Sequence, residues 1–212
     1  SLSDHRREQA MPSGFVRWEH SPAKQTTVYV GLGHVQRFPD YWELFSAGNS
    51  GIDKGNSFQA LQTEKTTQLD FGAQWQGSHA KAWAAGYVGQ MRDYILFNYA
   101  GNGKEVRNVD AHIAGFELGG SYRFSPAWTA QATLATTDDR PLPQTPPAEL
   151  KLGLDYAQSP WTAGALWRLV APQHRYSRNE GNVVGRDLQP TAGFGTLALN
   201  VGYKLSSHVK LL

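Results

Sequence analysis

The residues able to do chemistry in this chain are few and scattered. There is no cysteine, which excludes a disulfide framework, a CxxC zinc site and a thiolate nucleophile. The soft or imidazole metal ligands are Met11 and Met91 with His5, His20, His34, His79, His112, His174 and His208. Reduced copper prefers thiolate and thioether sulfur and also accepts imidazole. None of these residues forms an H-x-x-x-H or M-x-x-M pair. Asp138 and Asp139 make an adjacent carboxylate pair, but no His or Cys stands beside them to complete an acid–base device. Gly31-Leu32-Gly33 lies in a strand-like run without a following helix, so it does not cradle a nucleotide, and G-x-S-x-G, H-E-x-x-H and P-loop signatures are missing. We therefore assign no catalytic, cofactor-binding or metal-ligating residue and expect no enzyme. Arg37 and Glu64 read as structural pieces that hold turns.

The elements that carry these residues alternate with period 2. Leu150, Leu152, Leu154 and Tyr156 share one face and oppose Lys151, Gly153 and Asp155. Leu69, Phe71, Ala73 and Trp75 oppose Gln68, Asp70, Gly72 and Gln74, and Leu197, Leu199, Val201 and Tyr203 oppose Ala198, Asn200, Gly202 and Lys204. Helical spacing is not sustained, although residues 41–45 suit one turn of helix. The pattern predicts an all-β, antiparallel up-and-down meander of about ten strands at 13–20, 26–36, 64–76, 80–99, 107–124, 128–137, 148–157, 161–175, 192–205 and 208–212.

Connections alternate in length. Short ones fall at 21–22, 77–78, 125–127, 158–160 and 206–207, and long ones at 38–63, 100–106, 138–147 and 172–191. Short turns at one end and long loops at the other are the habit of outer-membrane barrels. On this topology His20, His79 and His208 lie near the short-turn end. His34, Met91, His112 and His174 lie toward the long-loop end, where they are candidates to line an entry path. Trp75, Phe124, Tyr156 and Tyr203 end strands just before short turns, and Trp83, Trp128 and Trp161 begin strands just after them. All seven are expected on the apolar face, as an interfacial girdle requires. The wet-face charges Asp70, Glu117, Arg123, Asp155, Arg168 and Lys204 are of mixed sign and are expected to face a lumen.

Composition agrees. The chain has 212 residues, is 12% aromatic and 18% charged, and carries a net charge of +2. The aromatics and low charge argue against disorder. The small net charge, spread along the chain, is not a nucleic-acid footprint. No apolar run reaches the ~18 residues of a membrane helix. The mean hydropathy of −0.48 is compatible with a transmembrane barrel, in which only alternate residues face lipid. The first seven residues lack an apolar signal core, so the sequence is expected to be mature, cytoplasmic or cut from a longer chain.

Several blocks resemble TonB-dependent outer-membrane receptors. GLGHVQRFPDYWELFS (31–46) carries their R-x-P…EL strand end, and LQTEKTTQLDFG (61–72) carries L-x-P-E-x-x…G with Thr63 in place of the usual Pro. Asn108…Gly115-Phe116-Glu117 matches N…G-x-E. PSGFVRWEH (12–20), EKTTQLD (64–70), DYILFNY (93–99), NVDA (108–111), LPQTPP (142–147), GALWRLV (164–170) and GNVVGRD (181–187) resemble the copper-receptor subfamily, in order along the chain. The resemblance implies a 22-stranded barrel with an N-terminal plug. It implies copper as transported substrate, and as partners the outer-membrane lipid, the plug of the same parent chain and the TonB complex. Its high-affinity metal ligands are implied mainly outside this segment. Residues 1–212 are then a single incomplete barrel domain, an interior fragment of the C-terminal half that forms an open sheet with two free edges in the outer membrane of a Gram-negative bacterium. The alternative is a complete ten-stranded outer-membrane barrel, an enzyme or a porin-like protein.

Overall fold

The computed structural model describes residues 6–45, 57–100, 105–182, 185–207 and 209–211. The chain runs β1 (Gly14–Ala23), β2 (Thr26–Arg37), α1 (Tyr41–Leu44), α2 (Ser57–Ala60), β3 (Glu64–Gln76), β4 (Ala80–Asn98), β5 (Glu105–Arg123), β6 (Trp128–Thr137), β7 (Glu149–Gln158), β8 (Trp161–Val170), β9 (Glu180–Asn182), β10 (Gly185–Arg186), β11 (Phe194–Lys204) and β12 (Lys210–Leu211). These strands form one antiparallel sheet ordered β1-β2-β3-β4-β5-β6-β7-β8-β11-β12, and the sheet does not close on itself. No helix among the described residues is long and apolar enough to cross a membrane, which says nothing of crossing by strands.

Residues directly opposite in a register share a face. Val30 lies opposite Phe71, Leu69 opposite Val88, Leu118 opposite Leu134, Leu152 opposite Trp167, and Trp167 opposite Leu197. One continuous apolar face results. Asp70, Glu117, Arg123, Asp155, Arg168 and Lys204 all fall on the other face, as their parity predicts.

Six of the seven girdle aromatics lie on the apolar face. Trp128 packs against Tyr156 with ring centroids 4.9 Å apart, Trp161 against Tyr203 at 4.7 Å, and Phe124 stacks on Trp128 at 6.4 Å. Trp83 does not belong to this set. It pairs with Gln74 on β3 and Gly119 on β5, which puts it on the wet face with Tyr87. In this stretch of β4 the apolar face carries the small residues Ala82, Ala84 and Gly86 while the bulky Trp83 and Tyr87 stand on the wet face, so side-chain size misleads and only the pairing decides the orientation.

Other departures are local. The strand expected over 161–175 stops at Val170, because Pro172 has no N–H with which to continue the ladder. The segment that follows is not plain loop. It contains β9 and β10, two strands too short to show a period, which bring the strand number to twelve. The connection over 38–63 contains α2 as well as the expected α1. Positions 5 and 208, where two of the histidines stand, lie outside the described residues.

β4 and β5 have 19 residues each. At 3.3–3.4 Å per residue they extend about 60 Å, well beyond a membrane-crossing strand, and project past their neighbours at the long-loop end. The small core sits there. Leu61, Ile95, Phe97 and Val106 pack together, with Tyr99 against them.

Candidate functional site

The most densely bonded group of side chains sits at the long-loop end of β2, β3, β4 and β5, and is built around Arg37. Arg37 closes β2 opposite Glu64, the first residue of β3. Its Nε donates to Glu64 Oε2 at 2.5 Å, and its two terminal nitrogens donate to Glu43 Oε2 and Oε1 at 2.9 and 2.8 Å. Glu43 reaches this position because α1 opens with a capping box. The Asp40 carboxylate accepts from the Glu43 N–H, and Glu43 accepts from the Asp40 N–H at 2.7 Å. Both glutamates are buried, and their charge is met by the one guanidinium. The hydrogen bonds to Glu64 and Glu43 hold the Arg37 pKa above its already high ordinary value.

Glu64 also accepts from the Ile95 N–H through Oε1, at 2.7 Å. That bond falls beside a bulge in β4, between Met91 and Tyr94, where Asp93 has φ 59°. Asn108 fastens the same bulge from β5. Its Nδ2 donates to the Asp93 carbonyl at 2.6 Å, and its Oδ1 accepts from the Gln62 N–H at 2.8 Å. Lys65 pairs with Asp93 at 3.0 Å. Thr63, which stands where the motif usually has Pro, is fully buried and donates to Gln9 Oε1 at 2.5 Å. The motif residues Arg37, Glu43, Glu64 and Asn108 thus converge on one knot, and both oxygens of each glutamate are engaged. The knot orders the rim and offers no free acid or base. The sequence gives Arg37 and Glu64 a holding role and marks Asn108 as a motif residue, but it shows neither the partners of Asn108 nor the bulge at Asp93. The signal was the repeated N…G-x-E spacing, whose partner 15 residues back is set by register alone.

A second group of ties joins the long loops. β9 takes the edge of β4 beyond the end of β3, with Phe97 opposite Gly181 and Asn98 opposite Glu180. Arg107 pairs with Glu180 at 2.6 Å, and the Gln144 N–H donates to Asp187 Oδ2 at 3.1 Å. The carboxylate pair noted in the sequence divides its roles. Asp138 accepts from Arg140 at 2.8 Å and from Arg175, whereas the Asp139 carboxyl is partly buried against the Ala114 backbone, and that burial pushes its pKa up.

The candidate entry-path residues do not come together. Met91 is on the wet face, opposite Thr66 and Ala111. His174 lies in the long segment after β8. His34 and His112 fall on the apolar-face parity, opposite Thr67 and Gln90, so they do not line the wet face. The ring of His34 is held by Thr67 Oγ1 at 2.8 Å. At the short-turn end His20 stacks on Trp18 and His79 bonds Ser78. Among the described residues no group of three or more His, Cys, Asp or Glu side chains is placed to hold a metal ion.

The fold has close counterparts among solved structures. The chain is 50% identical to the copper transporter OprC, with a TM-score of 0.89, over 96% of this chain and 33% of that one. It also matches the FrpB iron transporter from Neisseria meningitidis (16% identity, TM-score 0.65, 92% of this chain and 32% of that one). A third match is the ferric enterobactin receptor PfeA from Pseudomonas aeruginosa (15%, TM-score 0.69, 92% and 33%). The last two show likeness of fold alone. The chain spans about one third of the length of these structures. No curated protein sequence matches it. Residues 2–212 match the family described as TonB dependent receptor-like, beta-barrel, and the chain belongs to that family, whose barrels are outer-membrane proteins of Gram-negative bacteria.

Proposed function

We propose that this chain is a wall segment of a TonB-dependent outer-membrane transporter that takes up copper. The observation that carries the reading is the 50% identity to the copper transporter OprC across nearly the whole segment. The iron and siderophore receptors share the fold at much lower identity. In this reading residues 1–212 are one incomplete barrel domain that the rest of the receptor completes. Its apolar face meets outer-membrane lipid. Its wet face meets a plug from the same parent chain, and the TonB complex acts on that plug. The work is gated passage of copper as substrate, with no covalent chemistry and no resident cofactor in this segment. The open sheet, with β1 and β12 at its ends, favours this over a self-contained ten-stranded enzyme or porin.

The test is copper accumulation under copper limitation, read by elemental mass spectrometry. Cells lacking the gene that contains this segment should accumulate less copper. The gene should restore uptake, but not in a strain without TonB. Unchanged copper together with a loss of ferric siderophore uptake would assign the receptor to iron and overturn the copper reading.

A further inference from the structure

The apolar face changes character on β2, β3, β4 and β5 as these strands approach the long loops. Leu32, Leu69 and Val88 stand opposite one another and close its greasy band. Two residues further on, His34, Thr67, Gln90, His112 and Arg140 form one continuous cross-strand row on the same side. In the next row Lys65 lies directly opposite Arg92. Residues two apart on a strand share a face, so both rows continue the lipid-facing surface and not the lumen. The long-loop end of such barrels is extracellular, which places these rows at the surface of the outer leaflet.

Cations exceed carboxylates on this patch. Asp138 is shared by Arg140 and Arg175, and Asp93 pairs with Lys65 at 3.0 Å. Asp110 stands opposite the bulge of β4 and accepts from the Asp93 N–H at 3.1 Å. Arg92 is exposed, and among the described residues it forms no ion pair. Like charges directly opposite each other on a sheet repel. The Lys65–Arg92 pair lies well inside the sheet, with β2 and β5 both in place beside it, so its environment is complete. Just beyond β2, Tyr41 and Trp42 of α1 are exposed, and such amphipathic rings suit headgroup depth.

We infer that Arg92 and Arg140, with Lys65 beside them, bind the phosphoryl groups of a lipid headgroup in the outer leaflet. Guanidinium forks match phosphate oxygens in shape as well as charge. Two strand spacings, about 10 Å, separate β4 from the end of β6, so a headgroup bearing two phosphoryl groups can reach both arginines. His112 lies between them and adds a ring nitrogen to the site. Lipid is favoured over a soluble anion or an acidic protein because Leu69 and Val88 continue directly beneath the basic rows on the same face. One molecule can thus set its acyl chains on the band and its phosphates on the arginines. The inference requires the outer-membrane barrel and not the copper cargo, so copper uptake is not its readout.

The test is native mass spectrometry of the purified full-length receptor in mild detergent, titrated with bisphosphorylated lipid A and with its dephosphorylated form. Lipid A is expected to bind the wild type, and the dephosphorylated form about tenfold more weakly, the effect of losing a charge-assisted contact. Arg92→Gln with Arg140→Gln should weaken lipid A by a similar factor, while Lys81→Gln on the wet face leaves it unchanged. Should the double variant not assemble, Arg92→Gln alone carries the comparison, since that side chain has no ion pair to lose. Equal binding of the two lipid forms, or undiminished binding by the arginine variants, would overturn the inference. Displacement of lipid A by excess inorganic phosphate would reassign the patch to a free anion, and tighter binding of a poly-glutamate peptide would reassign it to an acidic protein. Either result overturns the lipid assignment.

Discussion

The indole of Trp83 on β4 lies across Gly119 on β5, and a β-carbon added to Gly119 would sit 2.6 Å from the ring. The aromatic side chain covers backbone that a larger neighbour would claim. This lets a bulky residue lie along the wet face without filling the lumen. Gly119→Val should therefore displace the ring and destabilise the barrel by about 1–3 kcal/mol, the usual cost of overpacking. A Trp83→Ala background should remove most of that penalty. Urea unfolding of the refolded receptor, read by tryptophan fluorescence and a heat-modifiability gel, measures both. Equal penalties in the two backgrounds would mean that the ring does not occupy the space over Gly119.

Facing is tested one pair along β7. Leu152 lies on the apolar face opposite Trp167, and its neighbour Lys151 lies on the wet face, paired with Glu149 at 2.6 Å. Leu152→Arg should cost about 2–4 kcal/mol if the position lies near the bilayer midplane, and should lower the amount of folded receptor in the outer membrane. Lys151→Leu should leave assembly near wild type, since Arg168 still serves Glu149. Equal tolerance of both substitutions would contradict the assignment of faces.

Arg37 is the common partner of two buried carboxylates. Arg37→Ala leaves Glu43 and Glu64 without their counter-charge. Arg37 is itself about half exposed, so the expected loss is about 1–3 kcal/mol rather than the full cost of a buried pair. It should appear as faster proteolysis within residues 38–63, with the membrane-spanning strands intact. Arg37→Lys should rescue poorly, because an ammonium cannot reproduce a fork that meets two carboxylates at once.

The tie from Asp138 to Arg140 and Arg175 should respond to acid in a defined direction. The hydrogen bond from Arg140, with Arg175 adding to it, holds the Asp138 pKa below the ordinary carboxylate value. A group whose folded pKa is depressed stabilises the fold above its unfolded pKa and loses that contribution as pH falls through the folded value. Hydrogen-exchange protection of residues 171–193 should therefore stay level from neutral pH to about 4 and decline only below it. In Asp138→Asn this step should be absent and protection lower throughout. A decline centred above the ordinary carboxylate range would show that another group controls the loop.

Much of the protein is written locally. The alternation at Leu150–Tyr156 and Leu197–Tyr203 needs only neighbouring residues to define a greasy and a wet face, and short turns such as Ser125-Pro126-Ala127 are likewise local. Arg37, Glu43 and Glu64 stand out through the family motifs they carry, and a holding role could be stated for Arg37 and Glu64. What they hold could not. Glu64 meets the Ile95 N–H, and Asn108 meets Asp93, only because β3, β4 and β5 pair in one register and β4 bulges between Met91 and Tyr94. β9 reaches the edge of β4 across more than eighty residues, through strands too short to carry a period. Trp83 shows the limit most plainly. The small residues Ala82, Ala84 and Gly86 face lipid there while the bulky Trp83 and Tyr87 do not, so the strand's own sequence misleads, and its pairing with Gln74 and Gly119 orients it. Neighbouring residues alone are enough for the alternating strands, the sorting of loops by end and the family resemblance. Which side chains meet emerges only on folding, because a residue's face repeats every two positions along its own strand, whereas its partners depend on the register of strands distant in the chain.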